Sequence, residues 1–357
     1  MEQELLNMSM ELCRDPMMAV LDGTLTGFNR AAAQALPELR MGECASGQLP
    51  EALLDCPPGR AVTLTRLGAA EYSVRCQAQG ALRLYAATPL EEGGERGFLS
   101  DGVMNRLLSG VNTLHFALRQ LDASEDADRR AHNRAILNRS QHILARQLGD
   151  LRTALGLLEG TLPMQPQETE LVNWCRALCQ MVCALTEDLG TALRFESEEP
   201  QLYAVLDSTL LERMLLNLLC NSFAHTPSDG TVLLRLEQRG GSVLLTVADN
   251  GSGIPPEVLE RVFQRYAVRA TAEDLSPAAT GGLGLYIVSG LARLMQGTLM
   301  IESRTGEGTA VRLSLPKNAA KAPLRTPTED AFPLSTTVRQ AFAELLPSER
   351  FAEIELD

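Results

Sequence analysis

Two asparagines and one aspartate are the residues whose type and spacing best suit chemistry in this sequence. Asn217 and Asn221 stand four apart within LERMLLNLLCNSFAHTP, residues 211–227. Leu211, Leu215, Leu218 and Leu219 repeat there at helical spacing and predict a buried stripe. Positions i and i+4 share one helix flank, so the two amides project together. Asp249 closes an apolar strand-like run, VLLTVA at 243–248, and leads into DNGSGI. A carboxylate at a strand end accepts from an exocyclic amine, while Gly251 and Gly253 let a flat ring approach the backbone. That combination suits a purine. VFQRY at 262–266 is a short aromatic stretch opening a long polar loop, and TGGLGLYIV at 280–288 places glycines before an apolar helix. Free N–H groups and the positive dipole end at such a helix start suit phosphate. Taken singly these are weak signals, since paired asparagines usually form a polar rim and glycine-rich turns usually just turn. Their order, on these element types, points to one nucleotide site.

The elements that must position these side chains fall into three segments and a tail. Residues 167–316 alternate helices and strands and contain all four motifs. Residues 1–92 alternate short β-like runs with turns. An apolar run at 17–21 meets an Asp22-Gly23 turn and a second strand at 24–28, which predicts a hairpin. Asn29 caps a short helix through Ala35, stopped by Pro37, and strand-like runs follow at 61–66, 71–76 and 81–87. Residues 95–162 change character. Leu99, Val103, Leu107, Val111, Leu114, Leu118 and Leu121 recur at spacings of three and four, and Leu137, Leu144, Leu148, Leu151, Leu155 and Leu158 make a second run. Two amphipathic helices in an antiparallel hairpin are expected, the second ended by Pro163 and Pro166. A hairpin alone cannot bury both stripes, so two chains would complete a four-helix bundle. Residues 317–357 read as a linker with a helix at 337–346, and no function is assigned to them. The fold class expected is multidomain α+β.

Composition narrows the function classes. The chain has 357 residues, 45% hydrophobic and 22% charged, with a net charge of −13, a globular balance that leaves no cationic footprint for nucleic acid. The acidic start lacks the features of an export signal, and no run approaches the ~18 apolar residues of a membrane span. A soluble, cytoplasmic chain is expected. The eight cysteines are scattered without a CxxC pair. Cys175, Cys179 and Cys183 form a ladder on one helix face, read either as a metal or redox site or as small apolar side chains in a core, the latter preferred because no fourth ligand is near.

NLLCNSFAHTP, DNGSGI, VFQRY and TGGLGLYIV together resemble the N, G1, F and G2 boxes of the histidine kinase catalytic domain, an α/β-sandwich Bergerat ATP-binding fold. The stretches Met300-Ile-Glu-Ser, Gly306-Glu-Gly-Thr-Ala and Leu315-Pro316 are similar to its last strands, so the likeness runs from about Thr169 to Pro316. The resemblance implies ATP and Mg²⁺ as cofactors, Asn221 as the metal ligand and Asn217 beside it. Asp249 would read the adenine amine, Gly251 and Gly253 would line the base, and Thr309 would sit near it. Gly282, Leu283 and Gly284 would meet the phosphates, and 254–280 would be the ATP lid. Hydrolytic branches of the superfamily place a general-base Glu where this chain has Asn217, an amide that takes no proton near neutral pH. Fast ATP hydrolysis is therefore disfavoured. The family's cation three residues after the metal ligand is Ala224 here, and its first G2 glycine is Thr280. Arg265 or Arg269 on the lid would replace the lost charge.

Residues 1–92 resemble a PAS sensor domain, through Pro16-Met-Met-Ala-Val-Leu-Asp-Gly and Gly27-Phe-Asn-Arg-Ala-Ala. No His precedes His115, which excludes a His-ligated haem there. A small-molecule pocket and a purely structural role both remain open. The hairpin stands where the family keeps its dimerisation and phosphoacceptor helices, yet the register puts Asn105 at the acceptor position, and an amide cannot hold a stable phosphoryl group. Of the four histidines, His142 lies nearest the right height, on the second helix, as a candidate acceptor set against a packing role. Three functions stand open: a cytosolic, homodimeric kinase-like protein that passes phosphate to a non-standard His or a response-regulator partner, a catalytically inactive ATP-binding scaffold, or an anti-sigma-type serine kinase. The long hairpin argues against the last.

Overall fold

Asp22 and Gly23 adopt positive φ angles of 48° and 77°, the left-handed pair whose twist matches that of two flanking strands. They join β1 (Met17–Leu21) to β2 (Thr24–Phe28), as the sequence predicts. A computed structural model describes residues 10–11, 13–68, 70–90, 101–123, 126–259, 283–317 and 334–352. Asn29 caps α1 (Arg30–Ala35), its side chain accepting from the Ala32 N–H at 3.0 Å. β3 (Ala61–Leu67), β4 (Ala70–Gln79) and β5 (Leu82–Pro89) lie where the apolar runs predict, with only their ends shifted. The N-terminal strand order is β2-β1-β5-β4-β3.

Two helices follow, α2 (Asp101–Ala123) and α3 (Ala127–Leu158), the second capped by Asp126. Helix α3 stops before the prolines. Its C-cap Glu159 is followed by Gly160 at φ 63°, the left-handed glycine that ends many helices. Large apolar side chains stay exposed on the hairpin: Leu108, Val111, Phe116 and Leu118 on α2, Leu148, Leu155 and Leu158 on α3. The other face of α3, with Leu144 and Ala154, is buried within the chain.

The rest of the chain adds β6 (Gln167–Glu170), α4 (Leu171–Thr186), β7 (Ala192–Ser197), β8 (Tyr203–Leu206) and α5 (Ser208–His225). After these come β9 (Thr231–Arg239), β10 (Ser242–Asp249), α6 (Gly284–Leu294), β11 (Thr298–Arg304) and β12 (Gly308–Pro316). Helices α4, α5 and α6 bury Leu178, Leu215, Leu219, Ile287 and Leu291 against Val232, Leu234, Val247 and Leu313 of the sheet in one core. Cys175 and Cys179 are buried in that core, Cys183 is exposed, and burial pushes the Cys179 thiol up to about 12. The burial of Cys175 and Cys179 among apolar side chains favours apolar packing at these two rungs of the cysteine ladder.

Two features differ from the segmental reading. Residues 1–92 and 167–316 do not form separate sheets. β3 pairs antiparallel with β11, with Val62 opposite Ile301, and the result is one ten-stranded sheet, β2-β1-β5-β4-β3-β11-β12-β10-β9-β7. The pairing satisfies the backbone groups that an open β11 edge would leave bare. Val62 enters the core of the second half and Met300 that of the first. The tail is also no loose appendage. Helix α7 (Leu334–Phe342) starts and ends earlier than expected, and a 3-10 turn at Ser348–Phe351 follows. Val338, Phe342, Ala343 and Leu346 join the main core. Among the described residues no helix is long and apolar enough to cross a membrane.

Candidate nucleotide site

Helix α5 is fixed at both its start and its flank. Asp207 accepts from the Thr209 and Leu210 N–H groups at 3.0 and 3.1 Å, satisfying two orphan donors of the first turn. Its other carboxylate oxygen accepts from the Gln165 N–H at 2.7 Å. Leu211, Met214, Leu215, Leu218 and Leu219 are buried, as the stripe predicts. This rotation leaves Asn217 at 5% exposure. Its Nδ2 donates to the Arg213 carbonyl at 3.0 Å, and its Oδ1 faces Arg146 Nη2 of the hairpin at 3.5 Å. A Cβ built on Gly284 would stand 3.3 Å from the same Oδ1. The asparagine helix and the start of the glycine-box helix are thus in contact, although 67 positions of sequence separate Asn217 from Gly284 (284 − 217). Asn221, one turn on, is half-buried.

Asp249 ends β10 opposite Thr309 of β12. Its Oδ1 accepts from the Gly251 N–H at 3.0 Å and the Thr309 N–H at 3.2 Å. Burial raises its pKa, opposed by those two N–H groups, the Ser222 hydroxyl and the His225 charge. A carboxylate has about four acceptor positions, so capacity remains for an exocyclic amine. Around it the loops lock together. The Ser303 hydroxyl accepts from the Ile254 N–H at 2.8 Å, donates to the Gly308 carbonyl at 2.9 Å and lies 2.9 Å from the Thr309 hydroxyl. The Ser252 N–H donates to the His225 carbonyl at 3.2 Å. Glycine is required at both turn positions. A Cβ on Gly251 would lie 2.2 Å from the His225 oxygen, and one on Gly253, at φ 66°, would lie 2.0 Å from the Arg304 oxygen.

Asn217, Asn221, Asp249, Gly251, Gly253, Leu283, Gly284 and Thr309 therefore lie on α5, on the loop after β10, at the β11–β12 turn and at the start of α6. Arg265, Arg269 and Gly282 lie outside the described residues. Ser222 and Ser303 were not singled out in the sequence, although each lies within a motif that was. Arg146 had no signal at all, because it arrives from another segment.

The donor set fits the implied groups. Mg²⁺ takes one or two protein oxygens and completes its shell with water and substrate phosphate, which a single amide oxygen at Asn221 can join. Ala224 is exposed, as are His115, His132 and His225. His142 is half-buried, its ring 5.4 Å from that of Phe351, and burial with the nearby Arg339 charge lowers its pKa. Asn105 lies within α2.

Between α3, α5 and α7 a cleft of about 480 Å³ is lined by Arg146, Asp150, Glu212, Arg213, Asn217 and Gln340, among others. Glu212 Oε1 is buried there with no hydrogen-bond partner among the described residues, and burial pushes the carboxyl up to about 7.

Residues 206–319 match the family described as histidine kinase-, DNA gyrase B- and HSP90-like ATPase. The sensor histidine kinase YvrG of Bacillus subtilis is 29% identical over 182 residues, 51% of this chain and 31% of that protein. The histidine protein kinase DivJ of Caulobacter vibrioides is 34% identical over 153 residues, 43% of this chain and 25% of that protein. Among solved structures, full-length ShkA in complex with AMPPNP aligns at 25% identity and a TM-score of 0.47, covering 62% of this chain and 46% of that one. The chain spans between a quarter and a third of the length of the two curated relatives. The ordered loops around Asp249 thus lie in a histidine kinase-like ATPase domain, an ATP-binding type, and its relatives are sensor histidine kinases.

Proposed function

We propose that the chain binds Mg·ATP against Asn221, Asp249 and Gly284 and acts as a histidine kinase-type phosphotransferase in two-component-type signalling. In this reading it works in the cytoplasm as a homodimer, and the exposed apolar faces of α2 and α3 pair with a second copy as a four-helix bundle. Residues 1–92 serve as a PAS-like sensor. The observation that carries the proposal is the Asp249 clamp, with Oδ1 held by Gly251 and Thr309 while Asn217 abuts Gly284. The clamp aims a carboxylate at a base, and the Asn217–Gly284 contact brings the amide helix to a phosphate-type helix start. Bound Mg²⁺ would neutralise phosphate charge. Asn217 supplies no general base for water, so the γ-phosphoryl is available to an imidazole nitrogen. There an N–P bond forms as the bond to the ADP oxygen breaks. The acceptor is His142 or a histidine elsewhere, and a response regulator is the onward partner.

Incubation with γ-labelled ATP tests this. Acid-labile label on the chain, lost in Asn221→Ala, is expected. ATP binding with no label on the chain or on any partner would overturn it in favour of a second reading, an ATP-gated scaffold without catalysis. Three observations favour that second reading: Asn105 at the acceptor position, Ala224 in place of the phosphate cation, and the packing of His142 against Phe351.

A further inference from the structure

The last carbonyls of a helix have no partner within it and must be met from outside. In the tail the Ala343 and Leu345 N–H groups meet the Gln340 and Phe342 carbonyls, and side chains of two other helices meet the Ala341 carbonyl and those of the turns that follow. Arg146 of α3 and the Cys220 thiol of α5 both donate to the Ala341 carbonyl, the thiol at 2.8 Å. Arg139 of α3 donates through Nε to the Ala343 carbonyl at 2.9 Å and through Nη2 to the Glu344 carbonyl at 3.0 Å. Asn138 Nδ2 donates to the Phe351 carbonyl at 2.9 Å. Two guanidinium groups at the C-terminal end of α7 also match the negative end of its dipole. Beneath these bonds Val338, Phe342, Leu346 and Phe351 are buried at 2% exposure or less. Phe342 meets Phe223 of α5 edge-on, with ring centroids 5.4 Å apart. At the rim Arg350 Nε donates to Asp188 at 2.7 Å.

We propose that residues 334–352 are an intramolecular clasp that fastens α3 to the ATP domain and partly covers His142, so that opening of the clasp speeds chemistry at this imidazole. The segment joins no strand ladder. The side chains that hold it come from both bodies, and the Phe351 ring lies tilted at 45° against that of His142 itself. Arg146 ties the clasp to the nucleotide site, because one guanidinium serves the Ala341 carbonyl of the tail and faces Asn217 Oδ1. A segment fastened mainly by side chains can release as a local unit while the sheet stays formed. The consequence for phosphate transfer rests on the kinase reading above, but the clasp itself does not.

Carbethoxylation by diethyl pyrocarbonate, read by mass spectrometry, tests it in the full chain, with exposed His132 and His225 as internal references. His142 is expected to react more slowly than either reference. Ending the chain after Lys317 is expected to raise the His142 rate on the order of tenfold, with the references unchanged. Should that variant not fold, Arg139→Ala in the full chain is expected to speed amide exchange in 334–346 while the β9–β12 ladder keeps its protection. Unchanged His142 reactivity in a folded truncation, or unchanged tail exchange in Arg139→Ala, overturns the clasp. A parallel incubation with γ-labelled ATP separates the two ideas. Faster carbethoxylation with label on His142 supports both, whereas faster carbethoxylation without label upholds the clasp and removes His142 as acceptor.

Discussion

Ser303 donates its backbone N–H to the carbonyl of Arg60 at 3.1 Å. One residue thus belongs to two systems, since the Ser303 hydroxyl holds Ile254 and Gly308 beside Asp249. The N-terminal strands and the Asp249 end of the ATPase domain are one short hydrogen-bonded path apart.

A charge in the shared sheet should therefore disturb both halves. Val62 is 2% exposed and sits opposite Ile301. Val62→Asp would bury an unpaired carboxylate at a cost of about 3–5 kcal/mol. One cooperative melting transition at lower temperature and weaker nucleotide binding are expected in calorimetry and fluorescent-ATP titration. An ATP domain that melted as before would show two independent units.

Asp249→Asn keeps the side chain's shape and removes its charge. With the amide oxygen held by the Gly251 and Thr309 N–H groups, the new NH2 would turn a donor toward an adenine amine, which should cost about 1.5–3 kcal/mol of binding, roughly tenfold to a hundredfold in Kd. Titration calorimetry with ATP checks this, with an unchanged far-UV spectrum as the fold control.

Asn221→Ala should remove the metal-dependent part of the affinity. The parent chain is expected to bind ATP more weakly once EDTA is added, and the variant to bind equally with and without it. A variant that still responds to Mg²⁺ would assign the metal to another group.

Glu212 makes stability depend on pH. Its carboxyl titrates near 7 in the folded chain, raised by burial from the ordinary 4.5. The folded state therefore holds a proton that the unfolded state has lost, and this contribution, complete below about 4.5, disappears as pH rises to about 7. Glu212→Gln should melt higher than the parent at pH 8, with the gap closing near pH 4.5. An equal gap at both pH values would count against burial as the cause.

Gly253→Ala should destabilise the loop after β10 by about 1–3 kcal/mol, because φ is 66° and the new Cβ meets the Arg304 carbonyl. The melting temperature and ATP affinity should fall together.

Much of the candidate site was legible because its signals are local. The spacing of Leu211, Leu215, Leu218 and Leu219 orients Asn217 and Asn221 within one helix, and Asp249 with its two glycines reads as a strand end and turn. The Asp22-Gly23 hairpin and the Asn29 cap were legible for the same reason, since a few neighbouring residues decide each. The end of α3 was misread, because left-handed Gly160 stops the helix before either proline can.

By itself the sequence determined the helix and strand periods, the turn chemistry and the absence of a general base at position 217. Only the tertiary structure decided that Gly284 meets Asn217, that β3 pairs with β11, and that Arg146 caps the tail helix while Arg139 holds the turn after it. The reason is physical. Periodicity and capping arise between residues a few positions apart, whereas strand edges and orphan carbonyls take any partner that satisfies them, however distant in the chain.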